Sequence, residues 1–510
     1  MKTQKYINIT LTVLTALILA VSLLLTFTVS DYYIFNRISF LNGEDSFNIF
    51  FVLSQWIKKA GLLLFPLAVF YKKRCCADIA KYVLPVFVII SCATFGGFFD
   101  ITMLTESATP AQKVFASINE FMTKPANMAL FFINSALYLA VCALLFVRDG
   151  WKVSKKSFIW LPFALVAVMP LNIFENFFDI SNFSPAHPLW FKNFTVWHFL
   201  ALAVLAGFTI GCYYFLKNKD RVTQNEFLAA GAIILLIQYH SKDSMLMGDG
   251  YNVYYTVFAA LPLFICNIGV YIASISVILK KRVLYAISFF VHAVGALTVF
   301  VYFGKDEMSN YGIFCSYSIL YFCLTHCLLF ALSVLPSALG HYKFRIKHCL
   351  IPLAYYCGVI IVAAVASGLV QSFLTTYSYD GYTLTVGEGA GFDMSPPNYA
   401  FTQVCPLPIT LPVVPLTIWK CKLNLLYLLL LYVAYVCLFW AFTGAYYAFL
   451  AIRKPVLAKL TARGGKTEVP AVPVAFGESA EAEEIERETA ATEEETAVAE
   501  TDENGKKENV

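Results

Sequence analysis

Two side chains in this sequence can do covalent chemistry if they meet: the thiol of Cys266 and the imidazole of His326. A thiol is a weak nucleophile until a base takes its proton, and a neighbouring histidine does that. Cys266 lies in Leu-Pro-Leu-Phe-Ile-Cys-Asn-Ile-Gly (261–269), within an apolar run from Tyr251 to Leu279. His326 lies in a second run, from Tyr311 to Pro336. Read as helices of one polarity, both runs place these residues at nearly the same depth, about 22 Å down for Cys266 at a rise of about 1.5 Å per residue. His292, on the run between them, falls nearer the opposite face. Asn267, Thr325 and Gln371 carry groups that could orient an imidazole or bind an oxyanion. Pro262 removes one backbone donor and predicts a kink beside Cys266. In apolar surroundings this constellation points to acyl transfer, with a thioester carried on Cys266. The same residue types have a plainer use, since a lone intramembrane cysteine packs as a small hydrophobe and a buried histidine bonds between helices.

The elements that must position these residues follow from composition. The 510 residues are 59% hydrophobic and 14% charged, with a mean hydropathy of +0.68. A soluble chain carries about 25% charge. Apolar runs long enough to cross about 30 Å of hydrocarbon recur along most of the sequence. Backbone polar groups in lipid must be satisfied within each segment, so the expected fold is all-α, a polytopic helical membrane protein. Twelve spans are predicted: 7–29, 48–71, 82–103, 126–147, 157–178, 195–216, 226–241, 251–279, 283–303, 313–336, 349–373 and 423–451. The first has the basic start of a signal peptide (Lys2, Lys5) but an overlong apolar core and no clear cleavage site, and reads as an uncleaved span. Most of the fourteen cysteines fall inside spans, with Cys405 and Cys421 in a predicted outside loop, so no disulfide framework is implied.

Alternate loops are basic: Lys72, Lys73 and Arg74; Arg148, Lys152, Lys155 and Lys156; Lys217, Lys219 and Arg221; Lys280, Lys281 and Arg282; Lys343, Arg345 and Lys347. The positive-inside rule then places both termini in the cytoplasm of a multi-pass protein of the cell membrane. The tail from Glu478 to Val510 has thirteen acids and three bases, net −10. It lacks apolar periodicity, and residues 456–510 read as a disordered acidic cytoplasmic extension. Its plain role is solubility and spacing; a cytoplasmic partner of the tail is the other reading, with the membrane part as its scaffold.

The two halves echo one another. Phe-Tyr-Lys-Lys-Arg at 70–74 ends the second span, and Ile-Leu-Lys-Lys-Arg at 278–282 ends the eighth. The pattern suggests tandem six-span halves, 1–222 and 223–455, of the kind transporters use. Superposing the two Lys-Lys-Arg ends lays Lys58-Lys59 over Cys266-Asn267. Charge at membrane depth costs at least a few kcal/mol and normally marks a cavity, a pair or a function. Lys58 and Lys59, with Glu175, Asp100 and Asp179, would line a transport pathway. A shorter second span, 60–71, would instead leave both lysines near the outer surface, where lysines snorkel.

Leu-Pro-Leu-Phe-Ile-Cys-Asn-Ile at 261–268 resembles the Leu-Pro-Leu-His-Leu-Cys signature of the YwaF family of bacterial integral membrane proteins. Gly-Ala-Leu at 295–297, the central histidine of the aromatic-rich span (His326) and Asn398-Tyr399 before the last span extend the resemblance over roughly 225–450. The family's animal relative is an ether-phospholipid acyltransferase thought to use a cysteine and a histidine. The resemblance therefore implies Cys266 as acyl acceptor and His326 as base. It departs at Phe264, where the family has histidine. Membrane lipids are the implied partners. No zinc spacing, Walker loop, haem motif or dinucleotide turn stands out, so no metal or cofactor is expected. The short basic loops are explained by topology and give nucleic-acid binding no support.

Overall fold

A computed structural model describes residues 2–24, 49–95, 125–171, 187–247, 263–301, 313–373 apart from 315, 343 and 345, and then 376–379, 382–385, 400, 402, 412–418 and 421–463. Helices dominate the described residues. In chain order they are α1 (Lys2–Leu24), α2 (Ile49–Val69), α3 (Arg74–Tyr82), α4 (Leu84–Ala93), α5 (Pro125–Asp149), α6 (Leu161–Ala167), α7 (Val196–Leu216), α8 (Arg221–Met247), α9 (Ile265–Leu279), α10 (Arg282–Ile287), α11 (Ala293–Val301), α12 (Tyr317–Ala338), α13 (Leu350–Phe373) and α14 (Leu425–Arg463). A π-helical turn, Ser288–His292, joins α10 to α11 without a break. Two short antiparallel hairpins, Thr376–Tyr379 with Tyr382–Thr385 and Pro415–Ile418 with Cys421–Asn424, flank the last loop. Among the described residues eight helical stretches are long and apolar enough to cross a membrane, and Ile265–Leu279 is a shorter apolar helix. The protein is thus an all-α, multi-pass membrane protein.

Helix boundaries follow the hydropathy where charge interrupts it. The predicted spans 126–147, 195–216, 283–303, 313–336 and 349–373 correspond to α5, α7, α10–α11, α12 and α13. The third span begins earlier than predicted, at Arg74 rather than residue 82. Residues 74–81 looked like a charged cytoplasmic loop, but Asp78 and Lys81 are buried and face each other at 3.5 Å. Asp78 also accepts from the Ser157 hydroxyl (2.8 Å) and the Ser154 N–H (3.1 Å), while Lys81 donates to Gly150 O (3.0 Å). Mutual pairing and hydrogen bonding let the charges leave water. At the other end, α14 runs on to Arg463, through residues 456–463 of the expected tail. Pro455 lies within the helix and does not end it; Gly464-Gly465 follow Arg463 in sequence, and glycine is the usual helix stop. Residues 464–510 lie outside the described residues.

By its internal contacts the chain divides into residues 1–443 and 444–510. In the first, one apolar core gathers α1, α2, α3, α5, α6 and α8, with Leu62, Phe65, Tyr138 and Ile237 fully enclosed. A smaller core gathers α7, α11 and α12 around Phe191, Phe300 and Phe322. α8 belongs to both sets of contacts, packing on α9 and α12 as well as on α2. The proposed division at residue 222 therefore falls within one packed body. Lys73 pairs with Glu226 across it.

The echo in sequence has a local counterpart in backbone. Lys72 and Lys280 both adopt φ 54°, a left-handed turn that an L residue seldom takes. Each is followed by an extended lysine, Lys73 or Lys281, and by a helix starting at the arginine. The spacing that carries Lys72 onto Lys280 carries Gly61 onto Gly269 and Leu84 onto His292. A Cβ on Gly61 would lie 3.2 Å from Leu84 Cδ1, and one on Gly269 would lie 2.7 Å from His292 Nδ1. In each case the helix after the turn passes close to the glycine, although at Gly61 the nearest side chain is Tyr138, at 2.7 Å.

Candidate functional site around Cys266

α9 begins at Ile265, preceded by an extended Phe264 (φ −80°, ψ 143°). Cys266 and Asn267 are thus in the first turn of a helix and not midway down a continuous one from Tyr251, as the apolar run suggested. Residues 248–262, with Pro262, lie outside the described residues. First-turn N–H groups have no intrahelical acceptor, and the helix dipole favours negative charge there. Both effects would favour an oxyanion at this place. Phe264 stands at the N-cap with no side-chain cap bond.

The histidine whose ring is recorded against this first turn is His292. Its Nδ1 lies 3.0 Å from the carbonyl oxygen of Ile265, the residue just before Cys266. Its Nε2 lies 3.3 Å from the Tyr355 hydroxyl. A carbonyl can only accept, so Nδ1 carries the proton and Nε2 accepts from the phenol. His292 closes the π-helical turn and is 1% exposed. Its ring rests on Gly269, where any Cβ would collide at 2.7 Å. Gly295 is the second glycine of the contact: its missing Cβ would lie 3.8 Å from Cys266 Sγ and 3.3 Å from Ile265 Cγ2. Tyr435, from α14, donates to the Val291 and Phe290 carbonyls (3.0 and 3.3 Å) and stacks on Tyr356 at 3.5 Å between centroids. These bonds hold the π turn from behind. α9, the π turn, α13 and α14 thus position the thiol.

His326 sits on α12. Its Nδ1 lies 2.9 Å from the Phe322 carbonyl one turn back, and its ring stacks on Phe322 at 4.0 Å. Donation to that carbonyl leaves Nε2 as the basic nitrogen. Thr325 turns its hydroxyl to its own helix, donating to Tyr321 O at 2.8 Å, and reaches His326 Nδ1 only at 3.5 Å. Helix register relates His326 to Cys266. The Ser288 and Ser333 hydroxyls meet at 2.8 Å. About two turns onward from Ser288 is Gly295, and about two turns back from Ser333 is His326. The helices run in opposite directions, so Gly295 and His326 fall at a similar level by this count, which is not a contact between His326 and Cys266. The Phe300–Phe322 and Phe300–His326 ring contacts agree with that register.

The other sequence-predicted residues are elsewhere. Lys58 and Lys59 lie in the middle of α2 and are fully buried. α2 starts at Ile49 rather than residue 60, so the lysines do not snorkel to an outer surface. Glu175, Asp100 and Asp179 lie outside the described residues, and Gln371 lies on the last turn of α13. Tyr355, Tyr435 and Gly269 were not foreseen from sequence. Gly269, one turn after Cys266, was the available signal for a close approach.

Residues 190–435 match the model of the TMEM164 family. This range is just under half of the chain, and it holds Cys266, His292, His326, Tyr355 and Tyr435. It starts and ends earlier than the 225–450 expected from the short motifs, and it carries the TMEM164 name where the resemblance pointed to YwaF. No curated protein and no solved structure matches the chain. The TMEM164-like region begins at Trp190, whose backbone bridges to Ile313 just before α12.

Proposed function

We propose that the region matched to TMEM164 is a lipid acyltransferase centre in which Cys266 accepts the acyl group and His326 is the base. TMEM164 is a family related to ether-lipid acyltransferases. The observation that supports the reading is the place of Cys266 in the first turn of α9, where a Cβ on Gly295 would lie 3.8 Å from its Sγ. His292 acts as a positioning residue, because both of its nitrogens are committed to the Ile265 carbonyl and the Tyr355 hydroxyl.

In the forward step His326 Nε2 takes the Cys266 proton, and the thiolate attacks the carbonyl carbon of a glycerolipid ester. A C–S bond forms and the ester C–O bond breaks. The departing alkoxide takes the proton from the imidazolium and leaves as a lysolipid. In the second step the hydroxyl of an acceptor lipid gives its proton to His326 and attacks the thioester, and the returning thiolate is reprotonated. The first-turn N–H groups of α9 would stabilise the oxyanion in both steps. Phe264 in place of a histidine removes one imidazole from the site and leaves His326 as the base. Both termini would lie in the cytoplasm, in line with the basic loops.

The test is acyl exchange between a labelled phospholipid and a lysolipid by the purified full-length protein. Wild type transfers label, Cys266→Ser does not, and His326→Ala slows transfer by about a hundredfold or more. Unchanged transfer by Cys266→Ser refutes the assignment. One observation favours a second reading, a transporter: Lys58 and Lys59 are fully buried in α2. Substrate flux into liposomes that survives substitution of both lysines would count against it.

A further inference from the structure

The N-terminal half contains a polar cluster that acyl transfer at Cys266 does not use. On α5, Phe131, Asn134, Ser135 and Tyr138 fall on one face by their spacing, and each is at most 2% exposed. Lys58 of α2 enters this face. Its ammonium donates to Ser135 Oγ at 2.7 Å and lies 4.2 Å from the Phe131 ring centroid and 5.6 Å from that of Tyr138. Ser135 passes its own proton to Phe131 O at 2.8 Å. Among the described residues the Lys58 ammonium meets no carboxylate. An ammonium has three N–H donors, and one is used on an oxygen. The ring faces offset part of the cost of burial, but an enclosed charge without a counter-ion still costs several kcal/mol.

The same face carries two further polar atoms. Asn134 Oδ1 and the Tyr138 hydroxyl are buried; Oδ1 makes no hydrogen bond among the described residues, and the phenol has the Ser22 hydroxyl as its neighbour. The Asn134 amide nitrogen makes only a long contact with Ser22 Oγ, 3.4 Å. Half a turn of the amide would let Ser22 donate to Oδ1 and turn N–H donors toward Lys58. An ammonium and an amide from adjacent helices would then both have N–H donors to offer.

We propose that Lys58, with Asn134, binds a carboxylate between α2 and α5. A single negative charge balances the single ammonium, and its two oxygens take the remaining donors. The spacing that superposes the two Lys-Lys-Arg turns lays Lys58 on Cys266. The N-terminal half thus holds a carboxylate where the other half holds a thiol. The proposal does not depend on acyl transfer at Cys266.

The carboxylate can arrive on a fatty acid or as a small soluble acid, and thermal denaturation of the full-length protein in detergent separates the two. Palmitate raises the melting temperature of the wild type saturably, by about 2 °C or more, and hexadecanol does not. If acetate does the same at millimolar concentration, the ligand is a soluble acid; if only palmitate does, it is a lipid. Lys58→Met abolishes the shift, and without ligand it melts no lower than wild type, since an uncompensated charge has gone. Asn134→Leu weakens the shift about threefold or more in midpoint concentration and serves if Lys58→Met fails to fold. The proposal is overturned if neither acid shifts the wild type, if inorganic phosphate alone does, or if Lys58→Met responds like wild type.

Discussion

The imidazole of His292 lies against Gly269, so close that a methyl group there would sit 2.7 Å from Nδ1. That contact fixes where the ring meets the Ile265 carbonyl. Gly269→Ala should push the ring off, loosen the first turn of α9 and lower acyl transfer at Cys266 about tenfold or more, since small misplacements at a reacting centre are costly. Gly295→Ala should cost less, because its Cβ would stand 3.3 Å from Ile265 Cγ2 and 3.8 Å from Cys266 Sγ. Rates for the two variants, measured beside their circular dichroism, check the order.

The two histidines have different jobs, and pH separates them. His326→Ala should remove the acidic limb of the rate profile together with most of the rate, because the base itself is gone. Tyr355→Phe deletes the 3.3 Å partner of His292 Nε2. It should lower the rate only a few-fold, at a cost of about 1 kcal/mol, and leave the acidic limb in place. A lost limb in Tyr355→Phe would make His292 the base.

The buried Asp78–Lys81 pair is a matter of stability. Asp78 and Lys81 are each 1% exposed by side chain. Asp78→Ala leaves Lys81 buried without its acid and should destabilise by about 3–5 kcal/mol. Asp78→Ala with Lys81→Met should recover most of that loss. Denaturation midpoints in detergent decide, and a single variant as stable as wild type would show that water reaches the site.

A titrating group outside the spans adds a pH dependence. His341 follows α12, and its Nε2–H donates to Gln224 Oε1 at 2.9 Å. Burial, then the nearby Arg221 and Lys280, lower its pKa from 6.5 to about 4. The unfolded chain then binds the proton first as pH falls. The stability this neutral imidazole contributes is complete above pH 6.5 and is lost between 6.5 and about 4. Thermal melts of wild type should fall over that window, and those of His341→Gln should fall less.

Much of this fold was legible in the sequence, because lipid demands long apolar runs and charge ends them. α5, α7, α12 and α13 stand where hydropathy put them. The start of α9 was not legible: the run from Tyr251 to Leu279 is apolar throughout, and nothing in its periodicity marks Ile265 as a first residue. Asp78 and Lys81 were read as loop because each alone belongs in water, and only their pairing puts them inside. The same limit applied to the site. Cys266, His292 and His326 stand out by residue type, but the depth assigned to Cys266 assumed a helix unbroken from Tyr251, and α9 begins at Ile265. That His292 meets the Ile265 carbonyl depends on helix register, which a single sequence does not encode visibly. The two Lys-Lys-Arg segments share a left-handed turn that nothing in their sequence signalled.

The central claim is that Cys266 carries the acyl group, and the most direct measurement is peptide mapping of the full-length protein after incubation with a phospholipid bearing a heavy-isotope acyl chain. The account predicts an acyl mass on the peptide containing Cys266, removed by hydroxylamine and lost in Cys266→Ser. A labelled thioester on another cysteine, or one undiminished in Cys266→Ser, would contradict it.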